Sequence, residues 1–491
     1  MHGIIFNLGT SMGSARTVGA YLIATHLRQE GWDIEVIDFA RRWPLDKLKE
    51  LCQSRIDHNT KFIGFSFQFS YWEPLIEDFC TWLKDTYPSI VLISGSSITP
   101  QYTTSLIDYH ISGYGEYAVS NLLKYLFSNG DPIKFSLVST GAKKLILANT
   151  FYQAYPKSSL QALYEKRDFI WEDEWLATEF SRGCKFACAF CNFPVLGVKG
   201  DYTRTADDFE LEMRHNYDNF GVKNYIVIDE TFNDSTDKIT KYADVVEKLN
   251  FVPFYSGYIR GDLIVSRPKD REELLRMNFL GHWYGLETFD KTAGKAIGKG
   301  MDADRLKQGI LDVKDYFLNN GRKLYRGNIS LVCGLPGETI ESLYQTKDWI
   351  LNNWQGQSYA AWCLGIPIGT TDIHSKIAKD YKSYGYTELS AEEIANFDGP
   401  DYIYRQSLGT QNLWWKNEHM TMFDAERIAM EIENLTTVGK FRLDNWSIAS
   451  TGFSGSAEER IAMDRHSEPD RIKLFSERIN TYIDQKLNYK K

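Results

Sequence analysis

"SRGCKFACAFCNF", residues 181–193, brings three of the chain's seven cysteines within eight positions. The spacing is Cys184-x3-Cys188-x2-Cys191. Zinc ordinarily takes four ligands, often as two separated pairs, and the nearest downstream histidine, His215, is out of ligand spacing. A disulfide would leave one cysteine over. A [4Fe–4S] cluster is held by thiolates. Three of them on one short loop anchor three irons and leave one open to a ligand that chelates through an amine and a carboxylate. On spacing alone the cluster leads, with zinc and a merely buried trio as the alternatives.

Upstream of this loop the chain alternates strand and helix. "GIIFNLG", "WDIEVIDF", "KFIGFSFQFS" and "SIVLISGSSI" read as strands, "ARTVGAYLIATHLRQEG" and "WEPLIEDFCTWLKDTYP" as helices, and "DYHISGYGEYAVSNLLKYL" as one more of each. Such alternation implies right-handed crossovers and a parallel sheet, whose ligands bind outside the carboxyl ends of the strands. Gly9, Gly13, Ser66, Gly95, Ser96, Gly113 and Gly115 gather at those ends. Tight turns need such residues, and so does backbone that a ligand must approach closely. Downstream, "KNYIVIDETF", "FYSGYIRG", "GHWYGLE", "GNISLVCGLPGET" and "YAAWCLGIPIG" are further strands with amphipathic helices between them, a second β/α unit built as an open or closed barrel. The expected organisation is α/β: a Rossmann-like domain at 1–130, a connector at 131–178, a barrel core at 179–370, and a mostly helical region at 371–491 whose tail after Lys440 carries no legible motif.

Composition narrows the class. A length of 491 residues accommodates about three domains. Net charge is −9, from 56 basic and 65 acidic residues with no Lys/Arg run, so no nucleic-acid footprint is visible. "MHGIIFNLGTSMG" is not a signal peptide, and no apolar run approaches the ~18 residues of a membrane helix. The cysteines are too few and too uneven for a disulfide scaffold, so a reducing cytoplasm is expected. Aromatics reach 14%; most such rings build core, but they also line pockets for flat cofactors.

The cysteine spacing, with Phe190 just before the third cysteine, resembles the radical S-adenosylmethionine (SAM) superfamily. The resemblance implies that SAM binds the open iron through its amino and carboxylate groups, and that reductive cleavage gives a 5′-deoxyadenosyl radical. Phe190 then packs near adenine. Asp229 and Glu230 in "YIVIDETFN" stand where the family receives the SAM ammonium. Arg260 in "GYIRGDL" suits the SAM carboxylate, because a guanidinium pairs with one bidentately. Glu287 in "YGLETFDKTAGKAIGKG" resembles the family's G-x-E-S strand end, with Thr288 for serine, and "LVCGLPGET", 331–339, matches the turn beside adenine. Each has a plainer role open to it: a helix cap for Asp229, a surface ion pair for Arg260.

The first domain resembles the cobalamin-binding domain of B12-dependent members. Gly9, Ser66, Gly95, Ser96, Gly113, Gly115 and Glu116 stand at its loop positions, although Ser96 replaces a glycine and Tyr114 sits inside the last turn. Residues 108–113 fit D-x-H-x-x-G, the motif whose histidine binds cobalt from below in other B12 proteins, but on the last strand instead of the first loop. His110 is therefore expected inside the sheet, and the lower face of cobalamin without a histidine, approached by Tyr71-Trp72 or the 66–70 loop. Cys333 is a weak candidate hydrogen-atom donor and Cys363 a weaker one, with burial the simpler reading; Cys52 and Cys80 are expected buried on helices. Trp415, His419, Thr421 and Met422 resemble a segment that follows the core in this branch, either closing over substrate or starting a packed helix.

The resemblance implies three cofactors, a [4Fe–4S] cluster, SAM and cobalamin, and methylation of an unactivated carbon of a small molecule or peptide. An external electron donor such as flavodoxin or ferredoxin is implied with them. Radical chemistry without methyl transfer and a non-catalytic metal-binding module are the alternatives. A methylthiotransferase ranks lower, because the tail shows no RNA-binding module.

Overall fold

Runs such as Ile4-Ile5-Phe6 and Val91-Leu92-Ile93 lack polar alternation, the pattern of strands covered on both faces. They form a parallel sheet in the computed structural model, which describes residues 1–9, 16–67, 74–96, 104–135, 141–148, 161–191, 202–321, 325–367, 375–396, 413–434 and 468–489. The strands are β1 (His2–Asn7), β2 (Asp33–Ile37), β3 (Thr60–Phe67), β4 (Val91–Ser96), β5 (Tyr109–Ser112) and β6 (Lys144–Leu147), in the order β2-β1-β3-β4-β5-β6. Helices α1 (Val18–Gln29), α2 (Leu45–Arg55), α3 (Pro74–Thr86) and α4 (Glu116–Phe127) cover it. The order reverses between β1 and β3, where a doubly wound sheet opens its ligand crevice. Strand β6 falls in the expected connector, so the first sheet reaches beyond residue 130.

The second sheet is built of β7 (Trp175–Thr178), β10 (Asn224–Val227), β11 (Phe254–Arg260), β12 (Phe279–Glu287), β13 (Arg326–Cys333) and β14 (Ser358–Cys363), all parallel and in sequential order. A small antiparallel pair, β8 (Ser181–Arg182) and β9 (Tyr202–Thr203), leads from β7 into the barrel. Strand β7 starts before residue 179, so the core takes over the end of the expected connector. Among the described residues β7 and β14 do not pair, and the sheet is an open (β/α)6 sector. Sequential parallel order with right-handed crossovers puts every connecting helix on one face. There Tyr225, Tyr255, Tyr284 and Leu331 pack against helix residues such as Phe209, Tyr242 and Phe317. The opposite face is concave.

The helices α5 (Ala206–Phe220), α6 (Thr236–Val246), α7 (Gly261–Ser266), α8 (Pro268–Arg276), α9 (Lys291–Ala296), α10 (Ala303–Asn320) and α11 (Ile340–Asn353) start where the sequence supplies caps. Thr205 accepts from the Asp208 amide, Asp302 from those of Asp304 and Arg305, and Thr339 from Ser342. Gly221, at φ +73°, ends α5 in the left-handed conformation that glycine adopts freely.

The expected helical region contains short helices, an antiparallel pair (Thr387–Glu388 with Trp415–Lys416), and a helix at Met422–Asn434 packed on β14 and β13. The last helix, Glu468–Asn488, returns to the first sheet. Its Ile479, Tyr482 and Ile483 join the core of Phe6, Ile37 and Trp43. The Lys486 ammonium, fully buried, donates to the Val36 carbonyl at 2.8 Å and lies 3.6 Å from Glu35. Among the described residues no helix is long and apolar enough to cross a membrane.

Candidate functional site

The two sheets meet at their carboxyl ends, and the cysteine loop lies at that junction. Cys184, Cys188 and Cys191 are partly exposed, and none is in a disulfide. Two neighbouring segments clamp their loop: the Ala189 amide donates to the Ile297 carbonyl and the Ile377 amide to the Ala189 carbonyl, each at 3.0 Å. Lys376 donates to the Ala187 carbonyl at 3.0 Å. The Cys184 sulfur is 3.4 Å from the Thr231 hydroxyl, and the Cys188 sulfur 3.6 Å from an Arg260 nitrogen. Among the described residues no three His, Cys, Asp or Glu side chains converge on one ion position. An iron–sulfur cube does not ask for that, because each thiolate takes a different iron.

The carboxylates expected around SAM divide into two kinds. Asp229, just past β10, is buried with both oxygens engaged, accepting from the Phe180 amide at 2.7 Å and the Ser181 hydroxyl at 2.6 Å. It fastens the base of the cysteine loop, and burial pushes its carboxyl up to about 6. Glu230 accepts from the Tyr114 hydroxyl with one oxygen, while the other is buried without a hydrogen-bond partner. Glu287 ends β12 at a bulge, with φ +65°. One of its oxygens takes the Lys299 ammonium at 2.8 Å and the other is again buried and unpartnered. Two orphaned acceptors beside a thiol trio fit a ligand that brings an ammonium and hydroxyl donors, as SAM does. Arg260 already forks onto Asp262 at 2.7 and 3.0 Å and lies over the Phe186 ring at 3.9 Å. Phe190 packs partly buried against the core.

In the turn after β13, Glu338 accepts from the Gly334 and Leu335 amides at 2.9 and 3.0 Å and from Thr288 at 2.5 Å. Burial pushes its carboxyl up to about 7. Thr288, in the family's serine position, therefore ties the end of β12 to the turn.

On the first sheet, Gly9, Ser66, Gly95, Ser96 and Gly113 share one edge: Ser66 pairs with Asn7 of β1, and the Gly113 amide donates to the Ser96 carbonyl at 2.9 Å. Among the described residues a Cβ on Gly9 would meet nothing within 4 Å. At Gly115 a Cβ would come within 3.1 Å of Ile23, so there glycine serves helix packing. Glu116 does not face this edge with a free carboxylate. It is buried, and its two oxygens take Arg182 at 2.6 and 3.1 Å. Gly13, Tyr71 and Trp72 lie outside the described residues. His110 sits fully buried on β5, 2.7 Å from the Ser94 hydroxyl, as expected for a sheet residue, and burial depresses it to about 4.

Cys333 lies on the helix-covered face of β13, in register with Cys363 of β14 and buried beneath the Met422–Asn434 helix, not on the concave face. Burial raises its thiol well above the usual range, so it stays protonated, and its place on the covered face agrees with the simpler reading of a buried cysteine. Cys52 and Cys80 are buried on α2 and α3. Trp415 is buried and donates to the Leu364 carbonyl at 2.9 Å, Thr421 bonds Asp424 at the start of the following helix, and His419 is exposed. That segment is a packed helix start.

Sequence reasoning missed the centre of the junction. Arg182, two residues before Cys184, bonds Glu116 across the domains, takes Glu179 at 2.8 Å and stacks on the Tyr114 ring at 4.0 Å. Burial, with Glu116 and Glu230 nearby, pushes the Glu179 carboxyl up to about 8. The position of Arg182 beside the cysteines was the only signal in the sequence; its cross-domain partners Glu116 and Tyr114 lie more than sixty residues away.

Residues 178–350 match the family model of the Radical SAM superfamily, so this part of the chain is a radical SAM domain. The fold of the whole chain is similar to that of the radical S-adenosylmethionine methyltransferase TsrM from Kitasatospora setae, solved with tryptophan substrate and a SAM analogue. That likeness has a TM-score of 0.65 and 13% identity over 98% of this chain and 99% of that one. It is also similar to the cobalamin-dependent S-adenosylmethionine radical enzyme OxsB, solved with aqua-cobalamin, at a TM-score of 0.61 and 13% identity over 99% of this chain and 72% of that one. No curated protein matches the chain in sequence.

Proposed function

We propose that the chain is a cobalamin-dependent radical SAM enzyme that methylates an unactivated carbon of a small molecule or peptide. The observation that carries this reading is the cysteine trio, unbridged by disulfides, on a clamped loop at the barrel mouth, facing the ligand edge of a doubly wound sheet. With the cluster, SAM and cobalamin bound, the cofactors supply the deoxyadenosyl radical and the methyl group, and the protein supplies position and exclusion of water.

This chain's own residues do that work as follows. Cys184, Cys188 and Cys191 would hold the cluster. The free oxygens of Glu230 and Glu287 would accept from the SAM ammonium and ribose. Arg260, beside Cys188, holds positive charge against the loop. The edge formed by Gly9, Ser66, Gly95, Ser96 and Gly113 would cradle cobalamin. Arg182 and Glu116 fix the two edges face to face, which matters because a radical must meet its partners without diffusing.

The test is anaerobic reconstitution with iron, sulfide and hydroxocobalamin, followed by SAM and dithionite. Deoxyadenosine, retained cobalamin and label passing from the SAM methyl into product are expected. Deoxyadenosine without retained cobalamin or transferred label would leave radical chemistry without methylation. Protein carrying one zinc and no iron would overturn the reading.

A further inference from the structure

Strand alternation sets Tyr258, Arg260, Trp283, Gly285, Asn328, Ser330, Ser358, Ala360 and Trp362 on the concave face of the barrel. Two tiers of this face differ sharply. In the upper tier the register partners Gly285, Ser330 and Ala360 are all small, with Arg260 at one end. In the tier below, Tyr258 and Trp283 are register partners whose ring centroids lie 5.4 Å apart with a tilt of 42°; Trp283 is buried and Tyr258 carries the exposed face of the pair, beneath the small residues of the upper tier.

Tyr258 is 41% exposed although it lies in the middle of a parallel sheet. The protein nevertheless encloses it enough to push its phenol up to about 12 with no charged neighbour contributing. A side chain both accessible and enclosed lines a cavity. Trp362, 39% exposed, stands on the same face nearer the mouth. The unpartnered oxygen of Glu287 borders the space from above: a Cβ on Gly285 would lie 3.2 and 3.4 Å from the Glu287 carboxylate.

We infer that the cavity over Tyr258 and Trp283 binds a planar aromatic ring of the substrate. Exposed aromatic faces pair with flat π-systems by offset or edge-on stacking, which a saturated ring cannot match. The location suits a reacting group. Tyr258 is two residues, about 7 Å of strand, below Arg260, and Arg260 touches both Cys188 and the Phe186 ring of the cysteine loop. The word "substrate" rests on the function proposed above; ring binding does not, and it is measured without reductant.

The experiment is saturation-transfer NMR on the reconstituted protein with SAM present, using indole as probe and cyclohexanol as the saturated control. Saturable indole binding is expected, absent for cyclohexanol and additive with SAM. Tyr258→Ala weakens it about tenfold and Tyr258→Phe retains it, since the ring carries the contact. Tyr258→Leu, which keeps bulk in the cavity, repeats the loss if the alanine variant fails to fold. Equal binding of cyclohexanol, displacement of indole by SAM, or full binding by Tyr258→Leu would overturn the inference. Indole binding in protein that yields no deoxyadenosine would refute only the radical function.

Discussion

Arg182, two residues ahead of the first clustered cysteine, forks onto Glu116 at the start of α4, 2.6 and 3.1 Å away across the domain junction. The pair is buried on both sides. Bidentate geometry and a further hydrogen bond to Glu179 offset the desolvation of the guanidinium. One side chain thus belongs to the cysteine loop and to the ligand edge of the other sheet at once.

Removing one partner of that pair strands the other in a dry site. Arg182→Met is expected to destabilise the protein by about 3–5 kcal/mol. The midpoint of urea unfolding, followed by intrinsic fluorescence, reads the loss. A midpoint equal to wild type would mean the pair is solvated in solution.

Glu179 gives the junction a pH dependence. Its folded-state value is near 8 against an ordinary 4.5. Between those values the folded protein holds a proton that the unfolded chain has released, so stability falls as pH rises through that window, by up to about 1.4 kcal/mol per pH unit. Glu179→Gln should flatten this part of the profile. Thermal melts from pH 6 to 9 on both proteins check it, and parallel profiles would assign the titration elsewhere.

Replacing Cys184, Cys188 or Cys191 singly with alanine should abolish stable cluster retention. Iron and sulfide analysis after anaerobic reconstitution is the measure. Cys333→Ala and Cys363→Ala should keep wild-type iron, because those thiols lie on the helix-covered face.

Cobalamin bound by this protein should carry no histidine below the cobalt. His110 is sealed in the sheet against Ser94. Electron paramagnetic resonance of the cob(II)alamin complex would show no histidine nitrogen coupling, and histidine labelled with nitrogen-15 would leave the spectrum unchanged. A change on labelling would contradict the placement of His110.

Lys486→Met should weaken the attachment of the last helix. The substitution removes a donor to Val36 and leaves buried Glu35 with Arg55 alone, 3.2 Å away. A cost of about 3–5 kcal/mol is expected, visible as faster proteolysis within residues 468–491.

Much of this was legible because its signals are local. Short apolar runs between glycines marked the strands, and their alternation with amphipathic helices marked two parallel sheets. Three cysteines in eight positions marked the loop proposed to hold a cluster. The position of His110 on a late strand sufficed to remove it as a cobalt ligand. The carboxylates were found but not sorted. Nothing in "IDETFN" distinguishes Asp229, spent on Phe180 and Ser181, from Glu230, which keeps a free oxygen.

The sequence by itself determined the strand pattern and the cysteine spacing on which the proposed cluster rests, since both depend on neighbours a few residues apart. Only the tertiary structure decided what lies opposite what. It set Arg182 on Glu116, Tyr114 on Glu230, the last helix on the first sheet, and Tyr258 beside Trp283. The physical reason is that a buried charge or an exposed ring takes its meaning from its partner, and packing, not chain proximity, chooses that partner from a distant stretch.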